Sequence, residues 1–246
     1  MPILWILLSL AGISPPEVSG SLAQACLLRE KLDEVGALAK YREALLQDST
    51  NLDALWNASY LATILGARDS LHHSPLLDLG RHLAEKSMQQ WPDHAESHFA
   101  LAVNIAMSLK HMPIRQKMTA ARDLREEIRH TLELDPRHAG AWFLLGRWQY
   151  AYATLGTFEK MTAKVFLGGI PAEATLENAE KSFRNALLTK PDEPLFHLDL
   201  ARTLVAQGRK DEARTVLALA IHLAPRSGDD PRHFAAMHDL LKRIEG

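Results

Sequence analysis

Apolar residues recur three and four positions apart along most of the chain, the interval that gathers them on one face of a helix. Ala37, Tyr41 and Ala44 follow it, as do Ala213, Leu217 and Ala220. No run alternates apolar and polar residues for a useful strand length, so the pattern predicts an all-α chain. Four of the helix-like runs end alike, in SMQQWPDHAES, TLELDPRHAGAW, ALLTKPDEPLFH and AIHLAPRSGDD. A fifth, ALLQDSTNLDALW, has Ser49 in the proline place. From Ser49 through Pro92, Pro136, Pro191 and Pro225 the spacings are 43, 44, 55 and 34 residues.

The last spacing is the unit length of a tetratricopeptide repeat, a pair of antiparallel helices. In that unit Leu200 and Ala201 fall on the first helix (A), which ends at Gly208, and Ala213, Leu217 and Ala220 fall on the second (B). The alanines let the two helices approach, and Leu200, Leu204 and Leu217 fill the seam. The same alternation of small and large residues runs through the other units. It pairs Trp142, Leu145 and Gly146 with Ala179, Phe183 and Ala186, and Ala25 and Leu28 with Ala37, Tyr41 and Ala44. The expectation is one domain over 21–246, a superhelix of about five helix pairs whose neighbours complete each other's core. The longer spacings place insertions near 67–74, 110–120 and 151–175. The segment 231–244, with Phe234, Met237, Leu240 and Leu241, reads as a capping helix.

Composition narrows the partners. Among 246 residues, 28 Lys and Arg nearly balance 30 Asp and Glu, which argues against nucleic acid as the partner. Residues 1–16 carry no charged side chain, and their apolar run is too short for a membrane span. Its length matches a signal-peptide core, with Val18-Ser19-Gly20 as a cleavage site. That reading makes 1–20 a signal segment and the protein periplasmic or otherwise exported. The alternative is a cytoplasmic or membrane-associated chain held by this hydrophobic segment.

Little points to catalysis, so a non-enzymatic protein without cofactor or metal is expected. His94 and His98 stand four apart, but the glutamate between them is not where a zinc protease needs it, and His94 reads as a helix cap. His72-His73 reads as loop, and neither pair has a third ligand at a recognisable spacing. Cys26, the single cysteine, reads as a small core residue of the first helix.

From the third repeat onward the residues resemble a particular family. HAESHFALAVNIAMSL, LELDPRHAGAWFLLGRWQYAYA, KVFLGGIP, LENAEKSFRNALL and HLDLARTLVAQGRKDEA, with the following DDP, are similar to the regulator of microtubule dynamics family over roughly residues 30–242. Gly146-Arg147-Trp148 with Tyr150, and Phe166 to Pro171, carry the likeness most specifically. The resemblance implies the repeat fold. For a cytosolic eukaryotic member it implies a tubulin partner, or lipid handling at organelle contacts; for a bacterial relative it implies an exported repeat protein.

The concave surface of such a superhelix is lined by A-helix residues that do not face their own B helix. The repeat phase selects Trp56 and Tyr60, then Phe99, then Phe143, Arg147 and Tyr150, then Leu198 and Arg202. Aromatics with two guanidiniums suit a partly apolar ligand bearing a carboxylate or phosphate. Candidates are an extended peptide, a C-terminal carboxylate, or a phospholipid headgroup with its chain along the groove. Alternatively the aromatics close the superhelix and Arg147 pairs with a nearby carboxylate. In the insertion TFEKMTAKVFLGGIP, Phe158, Met161, Val165 and Phe166 form an apolar face. It reads either as an extra helix over repeat four, ended by Gly168-Gly169, or as a helix that meets a membrane.

Overall fold

A computed structural model describes residues 16–68, 74–157, 160–161 and 169–245. The described chain is helical, with the elements α1 (Pro16–Glu30), α2 (Glu34–Gln47), α3 (Leu52–Ala67), α4 (Pro75–Gln90), α5 (Ala95–Ser108), α6 (Ile114–Leu134), α7 (Ala139–Ala153), α8 (Leu176–Thr189), α9 (Pro194–Ala206), α10 (Lys210–Ala220) and α11 (Asp230–Glu245). They form the five expected pairs, α1/α2 to α9/α10, with α11 packed on the last pair as the cap.

The helices start where the sequence offers donors' partners. Asp33, Asn51, Ser74 and Thr175 accept backbone N–H groups of the first turns of α2, α3, α4 and α8. His138 caps α7, its Nδ1 accepting from the Ala141 amide at 3.0 Å. His94, expected to cap α5, makes no side-chain cap bond.

Inside each pair the small residues do what the pattern requires. Ala201, Ala213 and Ala220 are fully buried between α9 and α10, with Leu204 and Leu217 closing the seam. Burial of one such leucine stabilises by roughly 2 kcal/mol. Gly146 of α7 lets Phe183 of α8 lie flat, since a Cβ there would stand 2.8 Å from the ring. Cys26 is exposed rather than part of the core, its Sγ 3.7 Å from the Tyr41 hydroxyl.

The insertions are expected to be helical. Residues 114–120 are the first two turns of α6, so the segment near 110–120 lengthens a helix. Residues 69–73 of the first insertion, with His72-His73, and 158–159 and 162–168 of the third lie outside the described residues. The third insertion returns through Gly169, whose φ of +124° suits glycine, and Ile170 packs on the core shared by α5, α6 and α7. Residues 1–15 also lie outside the described residues, and the boundary drawn between 20 and 21 falls within α1. No described helix is long and apolar enough to cross a membrane.

The pairs wind far enough for the last to meet the first. Arg68, just after α3, donates through Nε to Asp229 at 3.1 Å and pairs with Glu34 at the start of α2. The Gly228 amide donates to Glu34 at 3.2 Å. The turn entering the cap is thereby tied to the first two repeats.

Candidate functional site

The eight residues selected by repeat phase divide into three groups. Phe143 and Leu198 do not line the groove: they are 7% and 0% exposed, and both belong to the core of the last two repeats. Phe143 stacks on Phe196 at a centroid distance of 4.4 Å and tilts against Phe183 at 5.7 Å. An A helix in the middle of the superhelix has neighbours on three sides, so its free stripe is narrower than the sequence phase implied.

A second group forms an aromatic row across repeats two to four. The Tyr60 and Phe99 rings lie 6.3 Å apart and nearly parallel, and Phe99 meets the His138 imidazole at 4.4 Å. Trp56 is half-buried against the same cluster. Gly140 makes room for Phe99, because a Cβ there would come within 2.4 Å of its ring. Burial pushes the Tyr60 hydroxyl above the usual tyrosine pKa; Arg29 works against this, and the carboxylates of Glu193, Glu34 and Asp229 add to it. Those groups come from repeats one and five and from the turn before the cap, so the superhelix brings both of its ends towards this tyrosine.

The third group is a polar hollow. Arg147, Tyr150 and Arg202 meet around a cavity of about 180 Å³, together with Ala151, Phe183 and Asp199. Sequence reasoning missed Asp199. It is the buried partner of both guanidiniums, with Arg202 Nη1 at 2.8 Å from one oxygen and Arg147 Nε at 3.5 Å from the other. The expected carboxylate beside Arg147 is therefore present. Arg147 also lies over the Phe143 ring, 5.7 Å from its centroid. Two guanidiniums share one carboxylate, which leaves one positive charge and several N–H donors facing a partly exposed apolar wall. Guanidinium N–H groups in this arrangement have the geometry to pair with an anion in bidentate fashion. The signal for Asp199 was its place three residues before Arg202, between Leu198 and Leu200.

A second missed feature recurs in three repeats. The carbonyls of Pro92, Pro136 and Pro191 each accept a ring N–H from the residue six positions on. His98 Nε2 donates at 2.9 Å, Trp142 Nε1 at 2.9 Å and His197 Nε2 at 2.7 Å. These bonds pin each inter-repeat turn onto the helix that follows it. Among the described residues, no three His, Cys, Asp or Glu side chains are grouped to hold a metal ion.

Comparison with known proteins agrees with this architecture. The crystal structure of TTC0263, a thermophilic tetratricopeptide-repeat protein of Thermus thermophilus, superposes with a TM-score of 0.65 at 18% identity. The match covers 90% of this chain and 99% of that one, and speaks for the fold. Regulator of microtubule dynamics protein 3 of Xenopus laevis is 28% identical over 216 residues, 83% of this chain but only 45% of the relative. Regulator of microtubule dynamics protein 1 of Caenorhabditis elegans is 24% identical over 224 residues, 91% of this chain and 99% of the relative. The chain thus spans about half the length, or less, of the protein 3 relatives it matches. The family model for regulator of microtubule dynamics protein 1-3 matches residues 22–245, and the chain belongs to that family.

Proposed function

We propose that this chain is a non-catalytic binding scaffold that holds an extended protein segment in its concave groove and anchors a carboxylate of that segment at Arg147 and Arg202. The observation that carries the reading is the hollow itself. Two guanidiniums are oriented by one buried carboxylate and left with spare donors beside Tyr150 and the face of Phe183. Because Asp199 fixes both arginines before any ligand arrives, little side-chain entropy remains to be lost on binding. The aromatic row of Tyr60, Phe99 and His138 gives the rest of the segment a rigid apolar surface. A phospholipid, with its anionic headgroup at the same arginines, is the competing occupant.

One experiment separates the two. The purified full chain is extracted with organic solvent and analysed for phospholipid. Its affinity is then measured for peptides with free C-terminal carboxylates and for the same peptides amidated. The family's name makes tubulin the first protein from which to draw such peptides. The expected result is no stoichiometric lipid, and binding at least tenfold weaker for the amides and for an Arg147→Gln/Arg202→Gln variant, about 1.4 kcal/mol. Equal affinity for acid and amide, or one phospholipid per chain, overturns the reading.

A further inference from the structure

A second opening lies on the other helices of the repeats. The B helices α4 and α6 each pack against α5 but have no packed interface with one another. Between them a cleft of about 620 Å³ remains, floored by Asn104 and Ser108 of α5 and walled by Leu77, Met112 and Ala120. This is within the size range of small-molecule sites, roughly 300–1,000 Å³. It shares no residue with the Arg147 hollow.

The floor carries an unanswered polar group. Asn104 is only 2% exposed, and its Nδ2 donates to the Leu77 carbonyl at 2.9 Å and to Thr63 Oγ1 at 3.0 Å. A carbonyl can only accept, so the nitrogen must face Leu77, and the orientation of the amide is settled. Both N–H groups are then used. Asn104 Oδ1 has no hydrogen-bond partner among the described residues, although it is not sealed from the cleft that Asn104 lines. An acceptor that opens on the cleft and has no protein donor is one that an N–H group of a ligand can meet in place of water.

The rim adds charge of both signs. Asp123, exposed on α6, has no hydrogen bond or ion pair among the described residues. Asp78, Arg115 and Arg81 line the same cleft, Arg81 giving its Nε to Glu85 at 2.6 Å. We infer that this cleft binds a small zwitterion bearing a primary ammonium, between a free amino acid and a tripeptide in size. Its ammonium donates to Asn104 Oδ1 and is balanced by Asp123, while its carboxylate meets the arginines of the rim. The inference stands independently of the scaffold reading, since the two openings share no residue.

The test uses the isotope-labelled full chain titrated with free L-amino acids and with triglycine, followed by nuclear magnetic resonance. Saturable shifts are expected at the Asn104 side-chain amide and along residues 116–123. N-acetylation of the bound zwitterion should weaken binding at least tenfold, and Asp123→Asn severalfold. Thr119→Trp fills the cleft from an exposed position and should abolish the shifts, whereas Arg147→Gln should leave them in place. Absence of saturable shifts with every probe, indifference to acetylation, or shifts that survive Thr119→Trp would each overturn the inference.

Discussion

The junction between repeats two and three and the junction between repeats four and five solve one packing problem with different chemistry. At the later junction Phe143 stacks on Phe196, Phe183 tilts against Phe143 from within repeat four, and the Arg147–Asp199 ion pair runs beside the rings. At the earlier one the seam is threaded by polar groups. Ser87 meets Ser97 at 2.8 Å and Asn104 spans Thr63 and Leu77, while inside repeat two Ser59 donates to the Gly80 carbonyl at 2.8 Å. Rings contribute area and stability without direction, whereas hydrogen bonds contribute less free energy and dictate register. The polar junction is also where the superhelix opens into a cleft, and the aromatic one is where two arginines are anchored.

Removing a ring from the aromatic junction should have the largest effect. Phe183 is buried, touches Phe143 and fills the space Gly146 leaves, so Phe183→Ala should cost about 3–5 kcal/mol in urea unfolding. A cost below that of the polar-seam variant would reverse the ranking of the two junctions. At the polar junction the probe is Gly80→Ala, whose added methyl would stand 2.2 Å from Thr63 Oγ1 and 3.1 Å from Asn104 Nδ2. Thr63 must turn away and take the Asn104 bond with it, at a cost of about 1–3 kcal/mol. Hydrogen exchange should rise in α3 to α5 while α8 to α10 stay protected, because repeats couple mainly to their neighbours.

How much of this was legible follows from what periodicity can encode. The seam residues Leu200, Ala201, Leu204, Ala213, Leu217 and Ala220 could be read because size and spacing together determine which side chains fit between two helices. Arg147 and Arg202 could be grouped from the sequence because repeat phase sets both on the same stripe of neighbouring A helices, and they do line one hollow. Phe143 and Leu198 could not, since an apolar residue on an A helix faces either groove or next repeat, and one-dimensional phase does not tell them apart. Asp199 was hidden for the opposite reason: a carboxylate in an apolar run suggests solvent until its two partners are seen. Nothing local revealed that Arg68 would meet Asp229, which depends on the accumulated rotation of every repeat between them.

The smallest expected effect concerns pH, and it sharpens the contrast because the polar junction holds a buried titratable group. His98 places Nδ1 at 2.7 Å from Glu127 and donates from Nε2 to the Pro92 carbonyl. With an acceptor at each nitrogen, both N–H groups of the charged ring find partners. The Glu127 hydrogen bond raises its pKa above the usual histidine value; burial opposes this, while the Pro92 carbonyl and the charges of Glu127 and Asp93 reinforce it. The His130 ring stacks on it at 5.1 Å, the only other titratable ring packed there among the described residues. A raised folded-state pKa means the native state holds the proton more tightly than the unfolded chain. The contribution is therefore complete below the unfolded value of about 6.5, and it is lost as pH rises through the higher folded value. Urea midpoints of the wild type should fall relative to those of His98→Gln as pH rises from about 6 to about 8.5. A His98→Gln profile parallel to the wild type would show that the charge on this ring does not hold the polar junction together.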